Sequence, residues 1–458
     1  MTTSTDVKLW EVRRNKSSKK PSWEVRWVVG GHEVSRSRRT KALADSLLSD
    51  LRQAMKNGEA FDVTTGFPES MLRATNRKTW YVFVLEYVDK RWPGAAAHTR
   101  KSMLEALGSV TAALVLDRPN RPEYAALYSA LVRYALPPGT RTDQRPADVG
   151  RMLRWLESAS VPLAALEDED LVELALTALA LKLDGKSAAA TVARRKRAVF
   201  YNVLDAASTG KGRILPANPL DIMKWKPPEA AEKIDRRVVC NPRQAGELLI
   251  ALSYVGGLDR DRGRRLVAMF ACMYFAALRP AEAVNIRKSD CELPATGWGR
   301  LYVTRTTPEV GKRYTDSGDA HDEKGLKHRA DDEVRPVPIP PELVAILRWH
   351  LDEFGTAPDG RLFRQPGGGV VASSTYTQVW RAARALALTP EQVASPLAHR
   401  PYDLRHAAVS LWLNAGVPPT TIANRAGHSV DMLLRVYANC IDGDEEIANQ
   451  RITTALSG

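Results

Sequence analysis

The chain has 458 residues, with 66 Lys and Arg against 53 Asp and Glu, so its formal net charge is +13 at pH 7. Because 44% of the residues are hydrophobic and 26% are charged, the sequence can bury real cores and is not disordered as a whole. Its longest apolar run, residues 266–278, is too short to span a bilayer, which excludes a protein with transmembrane helices. The length predicts two to four domains.

The four cysteines are widely spaced, at positions 240, 272, 291 and 440. They form no CxxC pair and no Cys/His ligand spacing, so we expect neither a disulfide framework nor a zinc site, and no other metal or cofactor. The first residues contain no apolar stretch typical of a secretory signal. Reduced thiols in the cytoplasm are therefore the expectation.

Basic residues are concentrated at the N-terminus, where residues 1–40 carry ten Lys and Arg against four Asp and Glu. Apolar residues alternate over 23–29 and predict a strand, which Gly30 and Gly31 can join by a turn to a returning strand over 32–39. The segment therefore predicts a basic β-hairpin.

A helix is predicted after this hairpin, with Thr40 as its cap, Gly58 beyond its last turn, and an apolar stripe of Leu43, Leu47, Leu48 and Leu51. Such a small unit suits binding, and DNA phosphates are its expected ligand because Lys and Arg contacts release condensed counterions. A solvated basic tail is the alternative. The predicted DNA-contacting residues are Arg26, Arg36, Arg38 and Arg39.

Residues 60–75 indicate a linker, and from residue 78 to about 218 the hydrophobic period is helical. The last helix of this region carries a basic face opposite an apolar one, made of Arg194, Arg195, Lys196 and Arg197. An ordinary amphipathic helix is one interpretation of this pattern. In so basic a chain, a face that lies along a DNA backbone is the other.

A second linker, rich in Pro and Lys, covers about 216–237, and helices and strands are mixed beyond it. We expect helices at about 242–254, 264–278, 341–354, 374–386, 403–415, 419–426 and 430–438, and a strand pair at 300–306 and 334–340. The polar stretch between these strands is long for a hairpin and is predicted to be a mobile loop.

Four features of the last 200 residues indicate one site. Arg279 follows the apolar helix and lies three residues before Glu282, a candidate salt-bridge partner. Arg405 lies in the segment PYDLRH, His428 follows a short predicted helix, and Tyr437 comes nine residues later. Each is a weak signal alone, since a Tyr in an amphipathic helix is far more often core or surface than nucleophile.

In this order, these features resemble the tyrosine recombinase, or phage-type integrase, family. That family has an Arg in an LRxxE box, a Lys in a β-hairpin, HxLRH, GH, and a Tyr nine residues after the last His. The matching segments here are ALRPAE (277–282), EKGLKHR (323–329), YDLRH (402–406), GH (427–428) and Tyr437. The match covers about residues 235–440, and the chain looks most like integrases of actinobacterial mobile elements.

The resemblance implies a multidomain fold that is mainly α with small β elements (α+β). It implies an arm-type DNA-binding domain over 1–60, a helical core-binding (SAM-like) domain over 75–218 and a mixed α/β catalytic domain over 235–440. A C-terminal tail over 441–458 would dock on a neighbouring protomer, with a frayed terminus as the alternative.

The activity implied is that of a site-specific recombinase, which cleaves and rejoins double-stranded DNA at attachment sites through a 3′-phosphotyrosine intermediate. Such an enzyme integrates or excises a mobile element as a homotetramer on DNA, with or without a directionality factor. It would be cytoplasmic, nucleoid-associated and independent of membranes.

The implied site roles follow the chemistry of phosphodiester exchange. Tyr437 would be the nucleophile, and its ester with phosphate would store the energy of the broken bond. Arg279 and Arg405 would bind the nonbridging oxygens, where the transition state gathers negative charge. His428 would hydrogen-bond a phosphate oxygen.

A lysine of the hairpin would protonate the departing 5′ oxygen. Lys327 is the predicted acid and Lys324 is the alternative, because extra residues blur the register here. Glu282 would orient Arg279 or its helix.

Tyr402 departs from the family, which usually has His at the start of HxLRH. A His there can act as a base near neutral pH, whereas a phenol ordinarily stays protonated. Tyr402 would instead hydrogen-bond the phosphate or the nucleophile. His406 could compensate, although its place on the helix next to Arg405 predicts that it points elsewhere.

Two other functions remain open from the sequence. The first is a DNA-binding relative that kept the fold and lost the reaction, which only Tyr402 favours. The second is a type IB topoisomerase-like strand transferase, which shares the covalent chemistry and lacks site choice. The basic N-terminal segment favours the site-specific enzyme.

Overall fold

The computed structural model describes residues 3–15, 22–38, 40–68, 70–71, 78–141, 144–209, 213–223, 234–256, 261–326, 333–437, 440, 449, 452–454 and 456–457. The chain divides into two compact units, Met1–Pro228 and Glu229–Gly458. Helices dominate both units and the sheets are small, so the predicted fold class is confirmed. The finer division into a 1–60 and a 75–218 domain stays a prediction.

The first unit begins with two small antiparallel sheets. One pairs β1 (Thr3–Ser4) with β6 (Phe61–Asp62). The other is built around β4 (Ser22–Val29), which pairs with β5 (His32–Arg38) and also with β2 (Val7–Leu9) and β3 (Arg13–Asn15). The predicted hairpin is therefore confirmed.

The turn of this hairpin needs glycine at both positions. Gly30 has φ +54° and Gly31 has φ +85°, a region that is costly for residues with a Cβ atom. Two such residues match the right-handed twist of the flanking strands. The turn therefore fixes the register in which Val29 lies opposite His32.

Helix α1 (Lys41–Lys56) packs on this sheet and begins as predicted, since the Thr40 hydroxyl accepts a hydrogen bond from the Leu43 N–H group at 3.3 Å. The predicted stripe is partly wrong, because Leu43 is 50% exposed. Ala44, the next residue of the same turn, is fully buried in its place and packs in the core with β4. The buried residues that face β4 are Leu47, Leu48 and Leu51.

The rest of the first unit is helical, as the sequence predicts. Its helices are α2 (Trp80–Arg91), α3 (Ala97–Ala113), α4 (Tyr124–Ala130), α5 (Ala147–Ala159), α6 (Glu169–Ala180), α7 (Ala190–Thr209) and α8 (Pro219–Ile222). A π-helical turn, Leu131–Ala135, continues α4, and 3-10 turns lie at Pro138–Thr140 and Leu163–Glu167. Helix α3 packs against α2, α4, α6 and α7 and is buried along most of its length.

The second unit carries helices α9 (Pro242–Leu252), α10 (Asp261–Phe275), α11 (Pro280–Ala283), α12 (Pro341–Phe354), α13 (Ser373–Ala387), α14 (Pro390–Ala394), α15 (Asp403–Asn414), α16 (Pro419–Ala426) and α17 (Val430–Tyr437). Helix α10 packs against α9, α12 and α15. Being surrounded explains why its sequence is apolar on nearly every side. It ends at Phe275 and not at 278, because Ala277 has φ +50°, a left-handed conformation that a right-handed helix cannot contain.

The strands of the second unit form two antiparallel ladders. β7 (Cys291–Glu292) and β11 (Arg335–Ile339) flank β8 (Gly299–Val303), which confirms the predicted strand pair. β9 (Arg305–Thr306), at the end of the predicted first strand, pairs with β10 (Lys324–Gly325), which lies in the stretch predicted to be a loop. Val310 and Tyr314 are buried there, so the described part of that stretch has a packed structure of its own.

All four cysteines are free, and three of them are buried. In the parts of the chain that the structure describes, no three His, Cys, Asp or Glu side chains come close enough to hold a metal ion. Over the same ranges, no helix is both long and apolar enough to cross a membrane.

Candidate active site

Arg279 and Glu282 form the first part of the site, at the two ends of the short helix α11. The Glu282 carboxylate accepts hydrogen bonds from the Arg279 backbone N–H at 2.9 Å and from its Nη1 at 2.6 Å. Pro280 fixes the first turn of α11 between them. The predicted Arg279–Glu282 salt bridge is therefore present, and it also caps the helix.

Arg335 completes this pair and was missed by the sequence analysis. It opens strand β11 and binds both Glu282 oxygens, at 3.0 Å from Nη1 and 2.7 Å from Nη2, with both side chains buried. Burial alone would raise the pKa of Glu282, but Arg335 and Arg279 lower it to about 2. The period of two along the strand could have found Arg335, which shares the buried face with Val337 and Ile339.

Arg405 lies on α15 and is completely buried. Its Nη1 donates to the Ala277 carbonyl, and its Nη2 donates to the Ala426 carbonyl at 2.5 Å and to His428 Nε2 at 2.6 Å. Burial and the nearby Arg279 lower the pKa of Arg405. Its Nε–H has no partner among the described residues.

Gly427 lets the arginines approach each other. It ends α16 with φ +66°, and a Cβ atom there would lie 2.3 Å from Arg335 Nη1 and 3.3 Å from Arg279 Nη1. Its carbonyl accepts a hydrogen bond from Arg279 Nη2 at 2.8 Å. Both the backbone conformation and the space therefore require glycine.

His428 is held as a neutral ring with a defined tautomer. Because a guanidinium can only donate, the Nε2 atom that faces Arg405 must be the unprotonated nitrogen, and the proton must lie on Nδ1. Burial, Arg405 and Arg279 lower the pKa of His428 to about 3, so the ring is neutral at pH 7. Its Nδ1 is buried without a partner among the described residues.

Tyr437 closes the site from the last residue of α17. Its side chain is 1% exposed, and burial raises the pKa of its hydroxyl above the usual range. It packs on Ala277, Ala426 and Leu433, beside the ring of His428, whose centroid is 6.1 Å away. The predicted nucleophile therefore lies with the predicted phosphate-binding groups.

His406 is the residue that the sequence misplaced. It was expected to point elsewhere, yet its Nδ1 lies 2.9 Å from the Tyr437 hydroxyl oxygen. Successive residues of a helix differ by about 100° in direction. Arg405 can therefore face the Ala277 and Ala426 carbonyls while His406, its neighbour on α15, faces α17. Helix α17 packs against α16, which in turn packs against α15.

Tyr402 bonds neither to His428 nor to the Tyr437 oxygen. Its hydroxyl lies close to the Arg279 guanidinium, and its ring packs against the ring of His406 at a centroid distance of 5.0 Å and a steep interplanar angle of 67°. Burial lowers the pKa of Arg279, but Glu282 and Tyr402 raise it above its usual value. Tyr402 thus supports both Arg279 and His406.

Backbone hydrogen bonds from one short segment, residues 234–238, reach both the helix that ends at Tyr437 and the loop that precedes Tyr402. The Ile234 N–H donates to the carbonyl of Val436, next to Tyr437, at 3.0 Å. Four residues on, the Val238 carbonyl accepts from the Ala398 N–H at 2.9 Å. Ala398 has φ +45°, an unusual value for alanine, and lies just before Tyr402.

The general acid remains a prediction. Lys327, the preferred candidate, lies outside the described residues. Lys324 is described and lies on β10 opposite Thr306, with its Nζ 3.6 Å from the Asp322 carboxylate.

Three of the predicted DNA-contacting residues of the hairpin, Arg26, Arg36 and Arg38, lie on β4 and β5. Arg26 pairs with Glu33, and Arg36 lies 5.5 Å from the ring centroid of Phe67. Arg38 donates to the Ser37 carbonyl, and Arg39 lies outside the described residues.

Two residues of the predicted basic face of α7 bond to other side chains of the same unit. Arg195 pairs with Glu105 at 3.3 Å, and Lys196 Nζ donates to Ser109 Oγ at 3.1 Å. Burial lowers the pKa of Lys196. Arg194 and Arg197 are half-buried.

Comparison with known proteins finds no matching family model and no matching curated protein. Among solved structures, the Tn1549 transposon integrase in complex with circular-intermediate DNA is similar, with a TM-score of 0.47 and 16% identity over 68% of this chain and 96% of that one. The site-specific recombinase XerH bound to its difH substrate has a TM-score of 0.42 and 12% identity over 79% and 96%. The catalytic domain of bacteriophage HP1 integrase has a TM-score of 0.28 and 19% identity over 46% and 94%. The solved structures to which the chain is similar thus include integrases and site-specific recombinases, the class that its sequence motifs resemble.

Proposed function

We propose that this chain is a site-specific DNA recombinase that cleaves and rejoins DNA through a 3′-phosphotyrosine at Tyr437. The observation that carries the proposal is the meeting of Arg279, Arg405 and His428 beside the Tyr437 hydroxyl, from separate segments of the chain. Phosphoryl transfer needs little more from a protein than a positioned nucleophile and fixed positive charge around the phosphate.

Two buried donors support a phosphate as the ligand. The Arg405 Nε–H and the His428 Nδ1–H lack partners among the described residues, although buried polar groups nearly always have one. A nonbridging phosphate oxygen would satisfy such donors. It would also balance the positive charge of Arg279 and Arg405, because the one negative charge of Glu282 cannot neutralise both guanidiniums.

The reaction proceeds by displacement at phosphorus. The Tyr437 oxygen attacks, a 3′-phosphotyrosine ester forms, and the 5′ oxygen departs with a proton from Lys327 or Lys324. A free 5′ hydroxyl from a second duplex then attacks the ester and restores a phosphodiester. The ester conserves the bond energy, so the exchange needs no nucleotide.

The proposed biological role, integration or excision of a mobile element, rests on the predicted domain order. The N-terminal unit would hold double-stranded DNA at attachment sites, and four protomers would act together in the exchange. The tail over 441–458, most of which lies outside the described residues, would dock on a neighbouring protomer. A directionality factor and a nucleoid-associated, cytoplasmic location belong to the same proposal.

A covalent-trapping gel tests the chemistry. The protein is incubated in EDTA, without ATP, with labelled DNA that flanks its own gene, and is then denatured in SDS. Wild type is compared with Tyr437→Phe and with a matched control, Tyr302→Phe, whose hydroxyl bonds Glu292 and Arg300 on the sheet, away from the site. We expect an SDS-resistant adduct in wild type and the control, and none in Tyr437→Phe.

The other outcomes point to other assignments. Adduct in all three proteins would mean that another tyrosine is the nucleophile. DNA binding on a native gel without adduct would favour the non-cleaving DNA-binding relative. Equal relaxation of supercoiled plasmids with and without the flanking DNA would favour a topoisomerase.

A further inference from the structure

His406 makes a direct contact that the proposed reaction has not yet used. Its Nδ1 is 2.9 Å from the Tyr437 oxygen, which is the distance at which a base can take a hydroxyl proton. The ring of Tyr402 also packs against His406, at a centroid distance of 5.0 Å. Both the position and the orientation of His406 are therefore fixed against the predicted nucleophile.

Tyr402 is not placed to take that proton. A phenol ordinarily carries its proton near neutral pH, and the Tyr402 hydroxyl lies close to the Arg279 guanidinium, whose positive charge disfavours the uptake of a second proton. His428 is not placed to take it either, since its unprotonated nitrogen faces Arg405. Of the described side chains in the site, His406 is thus the one that offers a nitrogen to Tyr437.

We propose that His406 is the general base for Tyr437, and that it replaces the histidine that the family motif has at position 402. The inference rests on the proposed function. During cleavage the Oη–H bond of Tyr437 breaks and an Nδ1–H bond forms, while the oxygen bonds to phosphorus and the 5′ oxygen leaves with a proton from the lysine. During rejoining the 5′ hydroxyl attacks and returns its proton to the lysine, and His406 returns its own to the departing Tyr437.

The charges around His406 link this proton transfer to the presence of DNA. The ring faces Tyr402, Tyr437, Arg400, Arg405 and His428. In the free protein, burial and the two arginines lower the pKa of His406 to about 4, while burial raises the pKa of Tyr437. The proton therefore stays on the tyrosine.

A bound phosphate reverses this bias. Its negative charge offsets Arg405, and it stabilises an imidazolium at His406 in the same way that any nearby anion does. The nucleophile is consequently activated only when a phosphate occupies the arginine site. Adventitious reactions of the Tyr437 hydroxyl are suppressed until DNA is bound.

The test measures the single-turnover rate at which the protein forms its covalent adduct with the flanking DNA. The DNA that forms the adduct in the trapping gel is used in two forms, one normal and one with a 5′-bridging sulfur at the cleaved phosphate. The sulfur leaves without a proton, so it bypasses the lysine and isolates the base. The key variant is His406→Asn, whose side-chain oxygen can accept the Tyr437 hydrogen bond near the Nδ1 position but cannot take up a proton. We expect its rate to fall about 10²–10⁴-fold on both substrates.

A pH profile separates catalysis from positioning. The wild-type rate on the sulfur substrate should fall at acidic pH as His406 becomes protonated, and this acid limb should be absent in His406→Asn. The matched control is His399→Asn, an exposed histidine on the preceding loop, which should stay within twofold of wild type. Native-gel binding to the same DNA reports whether each variant is folded.

Each result has one meaning for the inference. A folded His406→Asn protein that cleaves at the wild-type rate, or keeps the acid limb, would overturn the role of His406 and leave the recombinase proposal intact. Loss on the normal substrate with recovery on the sulfur substrate would make His406 part of the acid step and overturn the inference. No adduct in wild type would overturn the proposed function, and this inference with it.

Discussion

The arginines on the basic face of α7 and those of the candidate active site differ in what surrounds them. In the first unit, Arg195 of α7 remains 45% exposed at its side chain and pairs with Glu105 at the surface. In the second unit, Arg335 and Arg405 are almost wholly buried, and fixed carboxylate or carbonyl oxygens hold them. Exposed guanidiniums can change their orientation, whereas the buried ones are held in a single orientation by these oxygens.

The difference follows from what each contact costs. Exposed ion pairs contribute little to folding because water and salt compete for both charges. Buried ion pairs are expensive to form and more expensive to break, since a lone charge is then left in a medium of low polarity. Substitution of the buried site residues of the second unit should therefore affect both stability and cleavage, and substitution of the exposed arginines of α7 only DNA affinity.

The largest effect is expected from Glu282→Gln. The change leaves Arg335 buried without its charged partner, so the free energy of unfolding should fall by about 3–5 kcal/mol. Denaturant titration measures this. The matched control is Glu247→Gln, which breaks an exposed pair with Arg243 and should change the free energy by less than about 1 kcal/mol. Equal losses in the two variants would contradict the comparison.

The same carboxylate makes stability depend on pH. Because the pKa of Glu282 is held at about 2, below its value in the unfolded chain, its contribution is complete at neutral pH and is lost as the pH falls toward 2. Wild type should thus lose stability on acidification more steeply than Glu282→Gln. Parallel acid-unfolding curves would show that the carboxylate is not held by the arginines.

The next effect is expected from Arg405→Lys, which keeps the charge and removes the fork of donors. A lysine cannot reach the Ala277 and Ala426 carbonyls and a phosphate at once, so adduct formation should slow by about 10²–10³-fold. Arg195→Lys, the same change on α7, should leave the rate within twofold. The covalent-trapping assay compares both, and a fast Arg405→Lys enzyme would argue against this role.

A smaller effect is expected from Gly427→Ala. Its φ of +66° nearly equals the +68° of Gly58, which follows α1, but a Cβ atom meets Arg335 only at Gly427. Gly58→Ala should cost about 1–2 kcal/mol for the backbone conformation alone. Gly427→Ala should cost more and slow cleavage, because the arginines must move. Thermal unfolding and adduct rates test this, and identical behaviour of the two variants would refute it.

The smallest effect is expected from the double change Arg194→Gln and Arg195→Gln on α7. If both side chains contact phosphates, DNA affinity should fall a few-fold, and the slope of log affinity against log salt should decrease by roughly 1 per lost contact. Cleavage of bound DNA should be unchanged. Binding assays at several salt concentrations measure the slope, and an unchanged slope would assign these residues to the structural interpretation of the helix.

Local sequence signals determined much of the fold. Gly30 and Gly31 specified the hairpin because few residues tolerate positive φ at two successive positions. The helix bounds 341–354 and 419–426 match the structure because proline starts both helices and glycine follows both. The order of Arg279, Arg405, His428 and Tyr437 also predicted one site, which the structure brings together as described.

Only the tertiary structure decided how the side chains of that site meet. Arg335 lies 53 residues from Glu282, and His406 lies 31 residues from Tyr437, so no local period joins either pair. The burial of Tyr437, the tautomer of His428 and the left-handed backbone at Ala277 depend on groups from several helices at once. Sequence determines local conformation and residue chemistry, whereas the distance between remote groups is set by packing, which couples every element of the unit.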